Sequence, residues 1–201
     1  MTAGAIRDSD TLDAVAAKAA ACTVCAADLP LGPRPVLAVG AAARMMIVGQ
    51  APGTAVHESG IPWDDPSGRR LRDWMRIEPD LFYDRTRIAI VPMGFCYPGR
   101  LPRGGDRPPR PECAPLWHEA LRARSPRIEL TLLVGQYAQK YYLAKRAKKT
   151  LTETVAAWAE YGPQFLPLPH PSWRTVGWQK RNPWFDDDVL PVLRERVAAL
   201  I

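Results

Sequence analysis

The chain has 201 residues, enough for one well-buried core and few for two, and its apolar share of 47% argues for a folded protein over a disordered one. No apolar run reaches the roughly 18 to 20 residues of a membrane span, and the N-terminal stretch has acids where a secretory signal would have a basic head, so the expectation is a single cytoplasmic domain over 1–201, monomeric and without a membrane partner. A formal net charge of +6 and a pI near 9.3 favour polyanionic partners.

In chain order, residues 10–21 space alanines and a leucine as a helix after the candidate cap Ser9. RMMIVG (44–49) is an apolar run closed by glycine, the pattern of a buried strand passing into a loop. PSGRRLRDWM (66–75) opens on a helix-start signal and sets Leu71, Trp74 and Met75 on one face. RIAIV (87–91) and IELTLLVG (128–135) are two more strands, with helices expected over 113–123, 136–143 and 151–161. QFLPL (164–168) is a short last strand, and 186–200 is a closing helix with acids first and arginines later, as the helix dipole prefers. Strands alternating with helices predict a three-layer α/β/α sandwich around a mostly parallel four-stranded sheet. Ligands in such sheets sit outside the carboxyl ends of the strands, which directs attention to the loops 50–65, 92–112 and 169–184. The 21 prolines gather in 30–35, 92–115 and 163–171 and predict rigid loops there.

Three patterns within those loops carry chemistry. In GQAPGTAVHESGIPWDDPSG (49–68), Gly49 and Gly53 permit a sharp turn and close approach to a ligand, Pro52 stiffens it, and Trp63 offers a flat surface. The cysteines Cys22, Cys25, Cys96 and Cys113 include a CxxC pair, and in a reducing compartment such a set is read as a metal site, for zinc or an iron–sulfur cluster, or as buried thiols. In HPSWR (170–174), Pro and Ser fix the position of His170 and supply a hydroxyl. The surrounding stretch PLPHPSWRTVGWQKRNPWF has neither helical nor strand periodicity; Trp173, Trp178 and Trp184 with basic neighbours describe a shaped loop suited to bases and phosphates.

Taken together, these motifs resemble the uracil-DNA glycosylase superfamily, and within it the iron–sulfur-containing bacterial and archaeal branches. GQAPG is similar to the family's first motif and HPS to its second, with Gly60, Pro62 and Trp63 at the matching spacing and LLVGQYAQKYYL similar to the strand and helix between them. The resemblance implies DNA as partner and excision of a deaminated or damaged base, uracil foremost. Ala51, Pro52, Gly53 and Trp63 would form the base pocket, Trp63 stacking on a flipped base. His170 would donate to the base oxygen where charge develops, with Gln50 as a second catalytic candidate. Ser172, Trp173, Arg174, Lys180 and Arg181 would hold DNA, and the four cysteines would ligate a [4Fe-4S] cluster, with zinc as the alternative. The chain departs from the family at telling positions. Ala51 stands where the best-known branch has aspartate, neutral Gln50 where the iron–sulfur branch often has glutamate, and Pro92 where a base-reading asparagine is usual. Gly53 replaces an aromatic that screens 5-methylated bases, which predicts a wider pocket. His57, Glu58, Asp64 and Asp65 are the remaining polar candidates nearby. A lesion-binding protein on the same scaffold and a small-ligand hydrolase are the rival expectations.

Overall fold

The computed structural model describes residues 5–102 and 104–201. Its centre is a sheet of four parallel strands, β1 (Met45–Val48), β2 (Ile88–Ile90), β3 (Leu130–Val134) and β4 (Phe165–Leu168), in the order β2-β1-β3-β4. Met45 pairs with Ile88 on one side and Leu130 on the other, and Thr131 pairs with Phe165. Both faces are covered, so the strands are continuous apolar runs instead of alternating ones.

The two-residue period of the strands sorts these side chains into two cores. Met45, Ile47, Ile88, Ile90, Leu132 and Leu166 face one layer, built from α3 (Pro66–Met75), α7 (Leu151–Ala156) and α9 (Leu190–Leu200). Met46, Val48, Ala89, Val91 and Leu133 face the other, built from α1 (Leu12–Ala20), α5 (Cys113–Ala123) and α6 (Gln136–Leu143). This is the three-layer α/β/α sandwich expected from the alternating pattern. Among the described residues no helix is long and apolar enough to cross a membrane.

Several element boundaries differ from the sequence expectation for local reasons. Thr11 caps α1 in place of Ser9, its hydroxyl accepting from the Ala14 N–H at 3.2 Å. The helix expected over 151–161 stops at Ala156 and continues as a tight turn over Trp158–Tyr161. The closing helix opens with a wide turn over Phe185–Val189. Two short helices, α2 (Thr54–Ser59) and α4 (Pro79–Phe82), were not anticipated. Nor was α8 (Thr175–Arg181), which stands where the sequence predicts a loop. Glycine and β-branched residues make TVGWQKR a weak helix former, so its helicity comes from packing. Trp178 and Trp184 lie edge-to-face at 5.6 Å, Trp178 meets Phe185 at 5.5 Å, and Trp178 Nε1 donates to Thr152 Oγ1 at 2.8 Å.

Candidate active site

A cavity of about 570 Å³ opens at the carboxyl ends of the strands. The residues following β1 form one wall, where Gly49, Gln50, Ala51, Pro52 and Gly53 all line the space, and Pro92 after β2 closes its floor. Trp63 stands over this wall in a left-handed conformation, φ 58°, uncommon for an aromatic residue. Two glycines make the position accessible. A Cβ at Gly49 would lie 2.7 Å from the Trp63 ring, and one at Gly68 would lie 1.7 Å from the Trp63 carbonyl. A side chain at Gly49 would displace the ring and one at Gly68 would displace the Trp63 backbone, so both glycines serve Trp63 directly.

His170 follows β4 and meets Trp63 with ring centroids 5.7 Å apart and planes tilted by 33°. Its backbone is fixed: the His170 carbonyl accepts from the Ser172 N–H at 2.8 Å and from the Thr175 hydroxyl. Beneath it, buried Gln139 donates to the Leu168 carbonyl at 2.8 Å and to the Leu133 carbonyl at 3.3 Å, joining the ends of β4 and β3. Enclosure in the site holds the His170 pKa below the usual histidine range, against the opposing pull of the Asp65 carboxylate. At neutral pH the ring is therefore uncharged and presents one N–H donor and one acceptor. Ser172, Trp173 and Arg174 continue the same wall to the rim, where Trp173 is 78% exposed.

Of the sequence-derived candidates, His170, Gln50, Ala51, Pro52, Gly53, Trp63, Ser172, Trp173 and Arg174 are thus brought to one cavity. Lys180 and Arg181 lie exposed in the last turn of α8 and do not line it. His57 and Glu58 sit on α2 outside the lining, and Asp64 is exposed. Asp65 does line the cavity, while its side chain caps α3 by accepting from the Gly68 N–H at 2.7 Å. The tryptophans divide in the same way. Trp178 and Trp184 pack on the core, and only Trp173 of the three is free to press on a ligand.

Sequence reasoning directed attention to the loop after β2 but did not single out the residues it brings to the cavity. Arg100 and Asp106 line the cavity and face each other in an antiparallel bridge, and the Asp106 carboxylate reaches within 3.5 Å of the place a Cβ on Gly53 would take. The space over Gly53, expected to be open, is therefore flanked by a polar group. Arg70 was missed as well. It supports the His170 wall from behind, donating to the Ser172 carbonyl at 3.4 Å and to Gln179 Oε1 at 2.9 Å. No local pattern marks Arg70, because its partners lie about a hundred residues away in the chain.

The model of the uracil DNA glycosylase superfamily matches residues 38–194. The chain belongs to this superfamily. A protein of Methanosarcina acetivorans, solved by NMR in solution and assigned provisionally as a uracil DNA glycosylase, has a similar structure at 14% identity and a TM-score of 0.48, over 81% of this chain and 98% of that one. Membership supports a glycosylase-type activity on DNA in general terms.

The superfamily match takes in Cys96 and Cys113 and begins after Cys22 and Cys25. Cys22, Cys25, Cys96 and Cys113 line one small apolar pocket on the α1–α5 side of the sheet. The Phe95 N–H donates to Cys113 Sγ at 3.3 Å. Burial pushes the Cys96 thiol up to about 11 and the Cys113 thiol up to about 12, opposed in part by backbone N–H groups of Arg34 and Phe95. Arg110 and Trp117 line the pocket too, and the buried Arg110 Nε and Trp117 Nε1 atoms have no hydrogen-bond acceptor among the described residues. Four thiols thus share one pocket with two buried N–H groups. Among the described residues no three His, Cys, Asp or Glu side chains converge to hold one ion.

Proposed function

We propose that this protein excises a deaminated or damaged base from DNA, uracil foremost, by hydrolysing its N-glycosidic bond. The observation that carries this reading is the junction of Trp63 and His170 in one cavity, with the exposed Trp173 and Arg174 on its rim. A base inside a duplex cannot reach the cavity, so the nucleotide must leave the stack, at a cost of a few kcal/mol, roughly. Trp63 then offers a face on which the base stacks. Neutral His170 donates a hydrogen bond to the base oxygen, and that bond strengthens as the glycosidic electrons move onto the base. Trp173 enters the space the nucleotide has left, and Arg174 holds phosphate beside it.

The same proposal gives Cys22, Cys25, Cys96 and Cys113 a [4Fe-4S] cluster. It would be a structural brace, joining the exit of α1 to the loop after β2, and base excision draws no electrons from it. Iron and sulfide analysis with a visible spectrum tests this, with about four irons per chain expected; a colourless protein holding one zinc would replace the cluster by a single ion. Excision of uracil from single- and double-stranded oligonucleotides, resolved on a gel beside an equilibrium binding measurement, tests the activity. Cleavage at the uracil site is the expected outcome. Ala51 and Pro92, which lack the family's usual carboxylate and amide, favour a second reading as a lesion-binding protein, and tight binding without cleavage of any modified base would establish it.

A further inference from the structure

We infer that Asp106, carried by the loop after β2, is the carboxylate that accepts the proton of the attacking water, and that Gln50 is the residue that positions it. The inference deepens the proposed base excision and rests on it. Ala51 leaves the segment after β1 without an acid at its third position, and the cavity receives one from another element. Asp106 Oδ2 lies 3.5 Å from the place of a Gly53 Cβ, over the last residue of GQAPG and in the cavity shared with Trp63 and His170.

Its backbone is held on both sides. Asp106 bridges Arg100, the Leu101 N–H donates to the Gly105 carbonyl at 2.9 Å, and the Arg107 N–H donates to the Gly99 carbonyl at 2.8 Å. The Arg174 guanidinium lies against Gly105, 3.1 Å from the place of its Cβ, so the His170 loop and this loop meet over the cavity. Gln50 completes the arrangement: its Nε2 donates to the Arg107 carbonyl, one residue beyond Asp106, at 3.1 Å. An ionised glutamate has no hydrogen to donate there. The neutral amide that departs from the family pattern therefore has a purpose in this chain. It fixes the loop that brings the acid.

In the reaction, the water oxygen forms a bond to the sugar carbon as the bond from that carbon to the base nitrogen breaks. The electron pair of the broken bond stays on the base, where His170 stabilises it. The water proton passes to the Asp106 carboxylate and then to solvent, and the released base takes a proton from solvent. Burial raises the Asp106 pKa, Asp65 across the cavity adds to the rise, and Arg100 opposes it, so the carboxylate is a stronger base than an exposed one. Asp106 must be ionised to accept the proton, and Asp65 and His170 face the same cavity, so the rate should climb with pH through the Asp106 pKa, and that limb should be lost when Asp106 is replaced.

The test is single-turnover excision by wild type, Asp106→Asn and Gln50→Glu across pH 4.5 to 8, with DNA affinity and thermal unfolding measured alongside. Asp106→Asn should lose about a hundredfold or more at the plateau, together with the acid limb of the profile, at unchanged affinity. Gln50→Glu should slow excision although it restores the family's acid. A wild-type enzyme that excises a base while Asp106→Asn matches it, or slows but keeps the acid limb, overturns the assignment of Asp106 alone. Should Asp106→Asn melt early, Gln50→Glu decides, and an equal or faster rate from it overturns the inference. A wild type that excises nothing removes both the proposed activity and this inference.

Discussion

At His170, burial and charge pull in opposite directions, and burial prevails over the attraction of Asp65. The imidazole is neutral at neutral pH, so it stabilises a developing negative charge by a hydrogen bond and not as a cation. A bond of this kind acts on the transition state more than on the bound substrate. Removing one such donor typically costs on the order of a hundredfold to a thousandfold in rate, about 3 to 4 kcal/mol. His170→Ala should lose that much excision rate on any substrate the wild type accepts. DNA affinity should change by less than about tenfold, since phosphate contacts dominate binding. Single-turnover kinetics beside equilibrium binding separates the two, and an unchanged rate would remove HPS from the catalytic machinery.

Among the elements, α8 shows most clearly why one tryptophan is not another. Trp178 holds the helix on the core through Phe185, Trp184 and Thr152, whereas Trp173, just before the helix, touches solvent over most of its surface. Trp178→Ala should therefore lower stability by about 3 kcal/mol, read as an earlier denaturant midpoint. Trp173→Ala should leave the midpoint in place and weaken binding to DNA containing the target base. Equal midpoints for the two variants would contradict this division of roles. The strands and long helices were legible in the sequence because apolar runs and helical spacing are local signals, as in RMMIVG and PSGRRLRDWM. The helix at Thr175–Arg181 was not, because its stability is supplied by Thr152 and Phe185 rather than by its own residues. The site divides in the same manner. GQAPG and HPS were legible as turns at strand ends, while Asp106 meets Gly53 and Arg70 meets the Ser172 carbonyl across about fifty residues or more of chain.

For the whole molecule, a parallel sheet places every strand's carboxyl end on one edge, so the loops after β1, β2 and β4 meet there without further design. Three of the chain's cations stand at the same edge, Arg174 at the cavity rim and Lys180 and Arg181 exposed on the adjoining α8. A polyanion approaching the cavity meets these cations first. Each cation that neutralises a phosphate releases condensed counterions, so log affinity falls linearly with log salt, by roughly 0.7 to 0.9 per contact. Arg174 also rests against Gly105, which leaves it one phosphate contact at most, and Lys180 is limited in the same way by its single charge. Replacing Arg174 and Lys180 together by alanine should flatten the slope of log affinity against log salt by about one to two units. Titrations of an abasic-site analogue oligonucleotide between 50 and 200 mM salt, on the order of the usual range, measure that slope without interference from cleavage. A slope equal to wild type would mean that these two side chains are solvated surface cations and that DNA is held elsewhere on the rim.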